Sequence, residues 1–99
     1  MRGSYQDQMN VNTAQNGIAA AGNTHNPCLL VLQDAGYELW LEPTQQGSLW
    51  CASKDNFQFM GHSGAELLGI VTLWERFGAD WNKQEPNVYG KLVDEMEDN

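Results

Sequence analysis

Four residues of the kinds that bind metal ions are spread over the chain. His25 is followed after two residues by Cys28, while Cys51 and His62 stand eleven positions apart. Imidazole nitrogen and thiolate sulfur suit zinc, but structural zinc sites normally join two closely spaced pairs of ligands. Only His25 and Cys28 form such a pair. A small-ligand or metal-binding domain that uses these four residues and the aromatic side chains is therefore an alternative hypothesis, and we assign no metal or cofactor.

Enzymatic chemistry has no recognisable signature in this sequence. A Cys–His or Ser–His pair with a carboxylate can converge in space from distant positions. The chain, however, has no nucleophile elbow, no Gly-rich phosphate loop and no His-Glu-x-x-His motif. Its two histidines stand beside predicted helix starts, where capping or solvent exposure explains them. A small enzyme is thus the third hypothesis, and no residue is assigned as catalytic.

The charge balance excludes several classes of partner. Thirteen Asp and Glu against five Lys and Arg give a formal net charge of −8, which repels nucleic-acid phosphates and anionic lipid surfaces. No apolar run approaches the ~18 residues of a membrane span. Two cysteines are too few for a disulfide scaffold, and residues 5–17 are too polar for the core of a signal peptide. These features predict a cytoplasmic protein with reduced thiols.

The chain divides into a tail and one domain. Residues 1–24 are rich in Gln, Asn, Gly, Ala and Thr and show no hydrophobic period, so they are predicted to form a flexible tail. Its first residues, Met1-Arg2-Gly3-Ser4, are typical of a vector-encoded leader, so part of the tail need not be native. Residues 25–99 are enough for a single core.

The strongest structural signal is a helix from Ser63 to Gly78, on which the rest of the domain is predicted to pack. Ser63 and Glu66 form a capping box, in which Glu66 should accept a hydrogen bond from the Ser63 amide. Gly78 supplies the stop signal. Gly69 in mid-helix predicts a strand backbone or a large ring packed over it. The apolar stripe contains Leu67, Leu68, Ile70, Val71, Leu73, Trp74 and Phe77.

Three short strands are predicted before this helix. Residues 37–42 alternate between apolar and polar side chains, residues 43–47 form a loop, and residues 48–53 and 57–60 follow as strands. Asp55-Asn56 suits a tight turn between the last two. The order predicts an antiparallel meander.

Shorter helices are predicted on both sides of these elements. Before the strands, Asn26-Pro27 marks the start of a helix and Gly36 its end, although residues 28–32 also suit a buried strand. After the central helix, Pro86 begins a last amphipathic helix. The predicted fold is an α+β two-layer domain, with a three-stranded antiparallel meander packed on a long central helix and shorter N- and C-terminal helices. Its predicted core consists of Leu29, Leu32, Leu39, Leu41, Phe57, Phe59, Leu67, Ile70, Val71, Trp74, Leu92 and Val93.

The sheet has large apolar residues on both faces in either register that the turn permits. With a two-residue turn, Trp50 shares the face of Phe57 and Phe59, and with a longer turn it lies on the opposite face. An apolar second face rimmed with acids is typical of a protein-binding surface, unless the N-terminal helix covers it.

The leading hypothesis is therefore a small non-enzymatic interaction or regulatory protein. It would bind a protein partner, such as a basic one, or a second copy of itself. The candidate partner-binding residues are Glu38, Trp40, Glu42, Leu49 and Trp50.

Overall fold

The computed structural model describes residues 16–97 and has the predicted α+β fold. A three-stranded antiparallel sheet in the order β1-β2-β3 packs on two helices. The elements are α1 (His25–Asp34), β1 (Glu38–Thr44), β2 (Gly47–Lys54), β3 (Phe57–Gly61), α2 (Gly64–Phe77) and α3 (Val88–Glu97).

The central helix α2 begins and ends where its sequence signals stand. The Ser63 hydroxyl accepts a hydrogen bond from the Glu66 amide at 3.1 Å, which satisfies one of the helix's free N–H groups. Glu66 Oε1 accepts from the His62 amide at 2.9 Å, so the return bond reaches one residue earlier than the capping-box prediction. Gly78 ends the helix with a φ of 66°, in the region that glycine adopts without steric cost.

Residues 28–32 lie in the helix α1, not in a strand. The helix begins at His25 after Thr24, slightly before the predicted Asn26-Pro27 start. At its other end the Tyr37 amide donates to the Leu32 carbonyl, and Gly36 has a φ of 96°. The helix α1 thus ends at a glycine, as the sequence predicted, and the chain continues from there into β1.

The prediction of a loop over residues 43–47 was wrong, because β1 continues through Pro43 to Thr44. The hairpin between β1 and β2 turns over two residues only, since Thr44 pairs with Gly47. Proline is compatible with a strand at the edge of a sheet, where its nitrogen faces away from the neighbouring strand. β1 is such an edge strand.

The turn between β2 and β3 sets which side chains face the helices. Asp55 and Asn56 both have positive φ, 53° and 72°, as a tight two-residue hairpin turn requires. Lys54 therefore pairs with Phe57, and Ala52 pairs with Phe59. We call the sheet face that packs on α1 and α2 the inner face, and the opposite one the outer face.

The core lies between the inner face and the two helices α1 and α2. Its buried members are Leu32, Tyr37, Ala52, Phe59, Leu67 and Val71, with Leu29, Leu39, Trp50, Leu68, Ile70 and Trp74 partly buried around them.

Four predicted core residues lie outside this core. Leu41, on the edge strand β1, and Phe57, beside the hairpin turn, are about half exposed. Leu92 is 59% exposed and Val93 is half-buried, since no residue of α3 is buried in the described chain.

The packing prediction for Gly69 was also wrong. Apart from the backbone of its own helix, no atom lies within 4 Å of the position that its Cβ would occupy, because Gly69 is on the exposed side of α2. The close approach is at Gly61 instead, where a Cβ would stand 2.8 Å from the Leu67 amide nitrogen. The glycine that lets the sheet approach the helix is thus in the strand.

The segment before α1 is only partly described. Residues 16–20 are exposed without regular structure and Gly22–Thr24 form a short 3-10 helix, while the other part of the predicted tail, residues 1–15, lies outside the described residues. None of the helices within residues 16–97 has the length and hydrophobicity needed to cross a membrane.

Candidate protein-binding surface

The outer face of the sheet carries four of the five predicted site residues. Strict alternation along β1 places Glu38, Trp40 and Glu42 on one side, and pairing with β2 places Leu49 beside Glu42. Cys51 lies between Trp40 on one neighbouring strand and Met60 on the other. The outer face therefore has a central apolar row of Trp40, Cys51 and Met60.

Exposure differs along this row. Cys51 is only 1% exposed, whereas Met60 is 54% exposed and the Trp40 ring is half-buried. Trp40 Nε1 donates a hydrogen bond to Glu42 Oε1 at 3.2 Å, so the polar edge of the ring is already satisfied within the chain. A tryptophan held in this way offers its apolar surface at a low entropic cost to a partner.

The buried Cys51 thiol is covered by its neighbours on the outer face. Burial raises the pKa of this thiol, and the nearby negative charge of Glu42 adds to the effect. The thiol lies 3.7 Å from the Leu49 carbonyl oxygen. A thiol with a raised pKa remains protonated and unreactive at neutral pH, so the row acts as an apolar surface and not as a nucleophilic site.

The N-terminal helix does not cover the outer face. α1 packs on α2, and its buried residue Leu32 belongs to the same cluster as the inner-face residues Ala52 and Phe59. Cys51 is buried but stands outside that cluster. In the described part of the chain, the alternative in which α1 forms a second core layer is therefore wrong.

Trp50 lies on the inner face and does not belong to the candidate surface. Its ring meets the His25 ring edge-to-face, with the ring centroids 4.5 Å apart. The two-residue turn between β2 and β3 determines this position, because a turn one residue longer would place Trp50 on the opposite face from Phe57 and Phe59. The same turn places Cys51 and Met60 on the outer face, although neither is among the five predicted site residues.

The four candidate metal ligands are separated and have other roles. His25 Nδ1 accepts a hydrogen bond from the Gly64 amide at 2.9 Å, which ties α1 to the start of α2. His62 lies 3.1 Å from Glu66 Oε1 at the surface. Cys28 and Cys51 are free thiols; Cys28 is on α1, whereas Cys51 is on the outer face of the sheet. Within residues 16–97, no group of three or more His, Cys, Asp or Glu side chains is placed to hold a metal ion.

An apolar cavity of about 350 Å³ lies beside β3. It has no charged residue in its lining, and a small-ligand site usually combines apolar walls with a few converging polar groups. The cavity is lined by Phe57, Gln58, Phe59, Met60, Ile70, Trp74 and Trp81. This lining suits contact with apolar side chains better than the binding of a polar metabolite.

Comparisons with protein-family models, curated proteins and solved structures found no match to this chain.

Proposed function

We propose that this chain is a small, non-enzymatic interaction protein that binds a basic protein partner through the outer face of its sheet. The observation that carries the proposal is the pair Trp40 and Met60, which flank the buried Cys51 on the sheet face away from α1 and α2, with Glu38 and Glu42 beside Trp40. A two-layer domain normally leaves the second face of its sheet polar. The exposed apolar surface of Trp40 and Met60 gains little for the fold and is available to a partner.

Charge supports a basic partner. The chain has a net charge of −8, and the acids beside Trp40 are exposed. Opposite charge on the partner would accelerate the encounter, and apolar contact with Trp40, Leu49 and Met60 would hold the complex. We also propose a cytoplasmic location, since the two cysteines of the sequence are too few for a disulfide framework.

The decisive variant is Trp40→Ser, tested first on the fold and then on binding. Because the ring lies outside the core cluster, the melting temperature should fall by no more than a few degrees. Partner capture from native lysate, identified by mass spectrometry, should weaken by about 2 kcal/mol, the loss typical of a hot-spot residue. Leu73→Ser is the matched control, since Leu73 is an exposed apolar residue on α2.

The salt dependence of the captured complex provides the second measurement. If acids steer the encounter, raising the ionic strength should slow association much more than it speeds dissociation. Equal capture by Trp40→Ser and the wild-type chain would overturn the proposal. Loss of the folded state in Trp40→Ser would show that the ring belongs to the core.

A further inference from the structure

The free edge of β3 carries backbone groups that have no partner in the described chain. The two-residue turn makes Lys54 and Phe57 the hydrogen-bonded pair that closes the hairpin. Hydrogen-bonded pairs alternate along an antiparallel ladder, so Phe59 and Gly61 also bond to β2. The N–H and C=O groups of Gln58 and Met60 must then point to the free edge. Within residues 16–97 no strand follows β3 and no other backbone hydrogen bond reaches these groups.

The two edges of the sheet differ in their protection. β1 has Glu38 and Glu42, and Pro43 removes an N–H that would face the free edge. Charge and proline are the usual means by which proteins prevent pairing at an edge. β3, with the sequence Phe-Gln-Phe-Met-Gly, has neither. Among the described strands, β3 is therefore the one whose edge is open to another strand.

The surroundings of this edge are apolar. The 350 Å³ cavity between β3 and α2 opens beside the strand, and Phe57, which contributes to its wall, is 48% exposed. An added strand would lie along the open side of this cavity, with alternate residues on the inner face of the sheet. It would thus continue the sheet beside the apolar residues that line the cavity.

We propose that the edge of β3 pairs antiparallel with the same edge of a second copy and forms a six-stranded sheet. A two-fold axis at Phe59 would place Gln58 of each chain opposite Met60 of the other. Both residues have their backbone groups directed to the edge, so this register forms four hydrogen bonds between the chains. A surface that meets itself in this way makes a closed dimer.

The uncharged edge of β3 permits a second copy as the occupant, and the symmetric pairing of Gln58 with Met60 favours it. Each chain has a net charge of −8, yet the strand Phe57–Gly61 has no charged residue, so the pairing brings no like charges into direct contact. In this register Phe57 lies opposite Gly61 of the second chain on the inner face, and Met60 lies opposite its Gln58 on the outer face. A strand of five residues buries less than a standard interface, so the dimer should be weak and depend on concentration.

Sedimentation velocity on the full chain tests the dimer directly. The average mass should rise from one chain toward two between about 10 µM and about 1 mM, the range of a weak complex. Added salt should move this rise to lower concentration, because it screens the repulsion between two acidic chains. A chain that remains monomeric at about 1 mM in high salt would overturn the proposal.

Hydrogen exchange locates the contact without any substitution. The amides of Gln58 and Met60 should become protected as the concentration rises. Those of Leu39 and Leu41, which face the free edge of β1, should not change. Equal behaviour of the two edges would contradict the assignment. If the two β3 amides gain protection only when a lysine-rich peptide is added to a monomeric chain, the edge binds a partner strand and the dimer is wrong.

Gln58→Pro removes one edge N–H that β2 does not use, so the fold should remain and the dissociation constant should rise at least about tenfold. Gln58→Thr keeps the N–H and should dimerise as the wild type does. Trp40→Ser should also dimerise normally, which separates this inference from the proposed function. A dimer that survives Gln58→Pro but is lost in Trp40→Ser would place the second copy on the outer face and overturn the β3 assignment.

Discussion

The effect of a single residue on the stability of this small domain depends mainly on the atoms that pack against it. Gly61 ends β3 and Gly69 lies within α2, and the surroundings of the two glycines are opposite. A Cβ at Gly61 would stand 2.8 Å from the Leu67 amide nitrogen, whereas, apart from the backbone of its own helix, nothing lies within 4 Å of one at Gly69. The sequence could not separate the two, because the need for a small side chain depends on the neighbouring element and not on the residue itself.

The contrast gives a paired prediction. Gly69→Ala should stabilise the domain by about 0.5–1 kcal/mol, because alanine has the higher helix propensity and meets no neighbour. Gly61→Ala should destabilise it by about 1–3 kcal/mol, because the strand and helix would have to separate. Urea unfolding of both variants measures the two effects. A stabilising Gly61→Ala would show that the contact between β3 and α2 is looser than described.

At the scale of elements, α2 was predictable because its start, stripe and end signals lie within the helix itself. The face on which each strand residue lies depended on the length of a turn. A turn one residue longer at Asp55-Asn56 would have moved Trp50 to the other face. Four of the five predicted site residues lie together on the outer face. Trp50 does not, because the sequence left two turn lengths open.

The N-terminal cap of α2 can be tested directly. Ser63→Ala should lower the free energy of unfolding by about 1 kcal/mol, because the Glu66 amide loses its side-chain acceptor. Thr72→Ala removes a hydroxyl from the same helix, where it bonds to the Leu68 carbonyl in an already complete turn. That control should be neutral or slightly stabilising. Equal unfolding midpoints for the two variants would contradict the role of Ser63 as the cap.

One side-chain bond ties the start of β1 to α2. The Tyr37 hydroxyl donates to Glu75 Oε2 at 2.6 Å. Burial, which contributes most, together with the hydrogen bond to Glu75 and the charges of Glu75 and Asp55 raises the pKa of Tyr37 to about 12. The folded chain therefore keeps the phenol proton at a pH where the unfolded chain, with an ordinary tyrosine pKa of about 10, releases it.

This difference in pKa predicts alkaline sensitivity. The contribution of the neutral phenol should be complete below about pH 10 and be lost as the pH rises towards about 12. Tyr37→Phe has no proton to release, so its free energy of unfolding should decline less steeply in that range. Lysines titrate in both proteins, which makes the difference between the two unfolding curves the quantity to measure. Parallel curves would show that Tyr37 titrates alike in both states.

At the scale of the whole molecule, the chain combines a packed unit with a helix that does not contribute to it. α1, α2 and the sheet share one core, while no residue of α3 is buried in the described structure. The amphipathic pattern correctly predicted that α3 is a helix. The pattern could not predict whether another element packs on the apolar stripe, because periodicity identifies the apolar side of a helix but not what contacts it.

The stripe of α3 consists of Val88, Tyr89, Leu92 and Met96, all exposed, with Val93 half-buried. If it makes no contribution to the core, a chain that ends at Glu85 should unfold within about 0.5 kcal/mol of the full chain, as surface changes do. Leu32→Ala in the full chain is the positive control, since loss of a buried leucine should cost about 2–5 kcal/mol. Chemical denaturation followed by tryptophan fluorescence suits both, because all four tryptophans precede residue 86. A marked loss of stability on truncation would mean that α3 docks on the domain in solution.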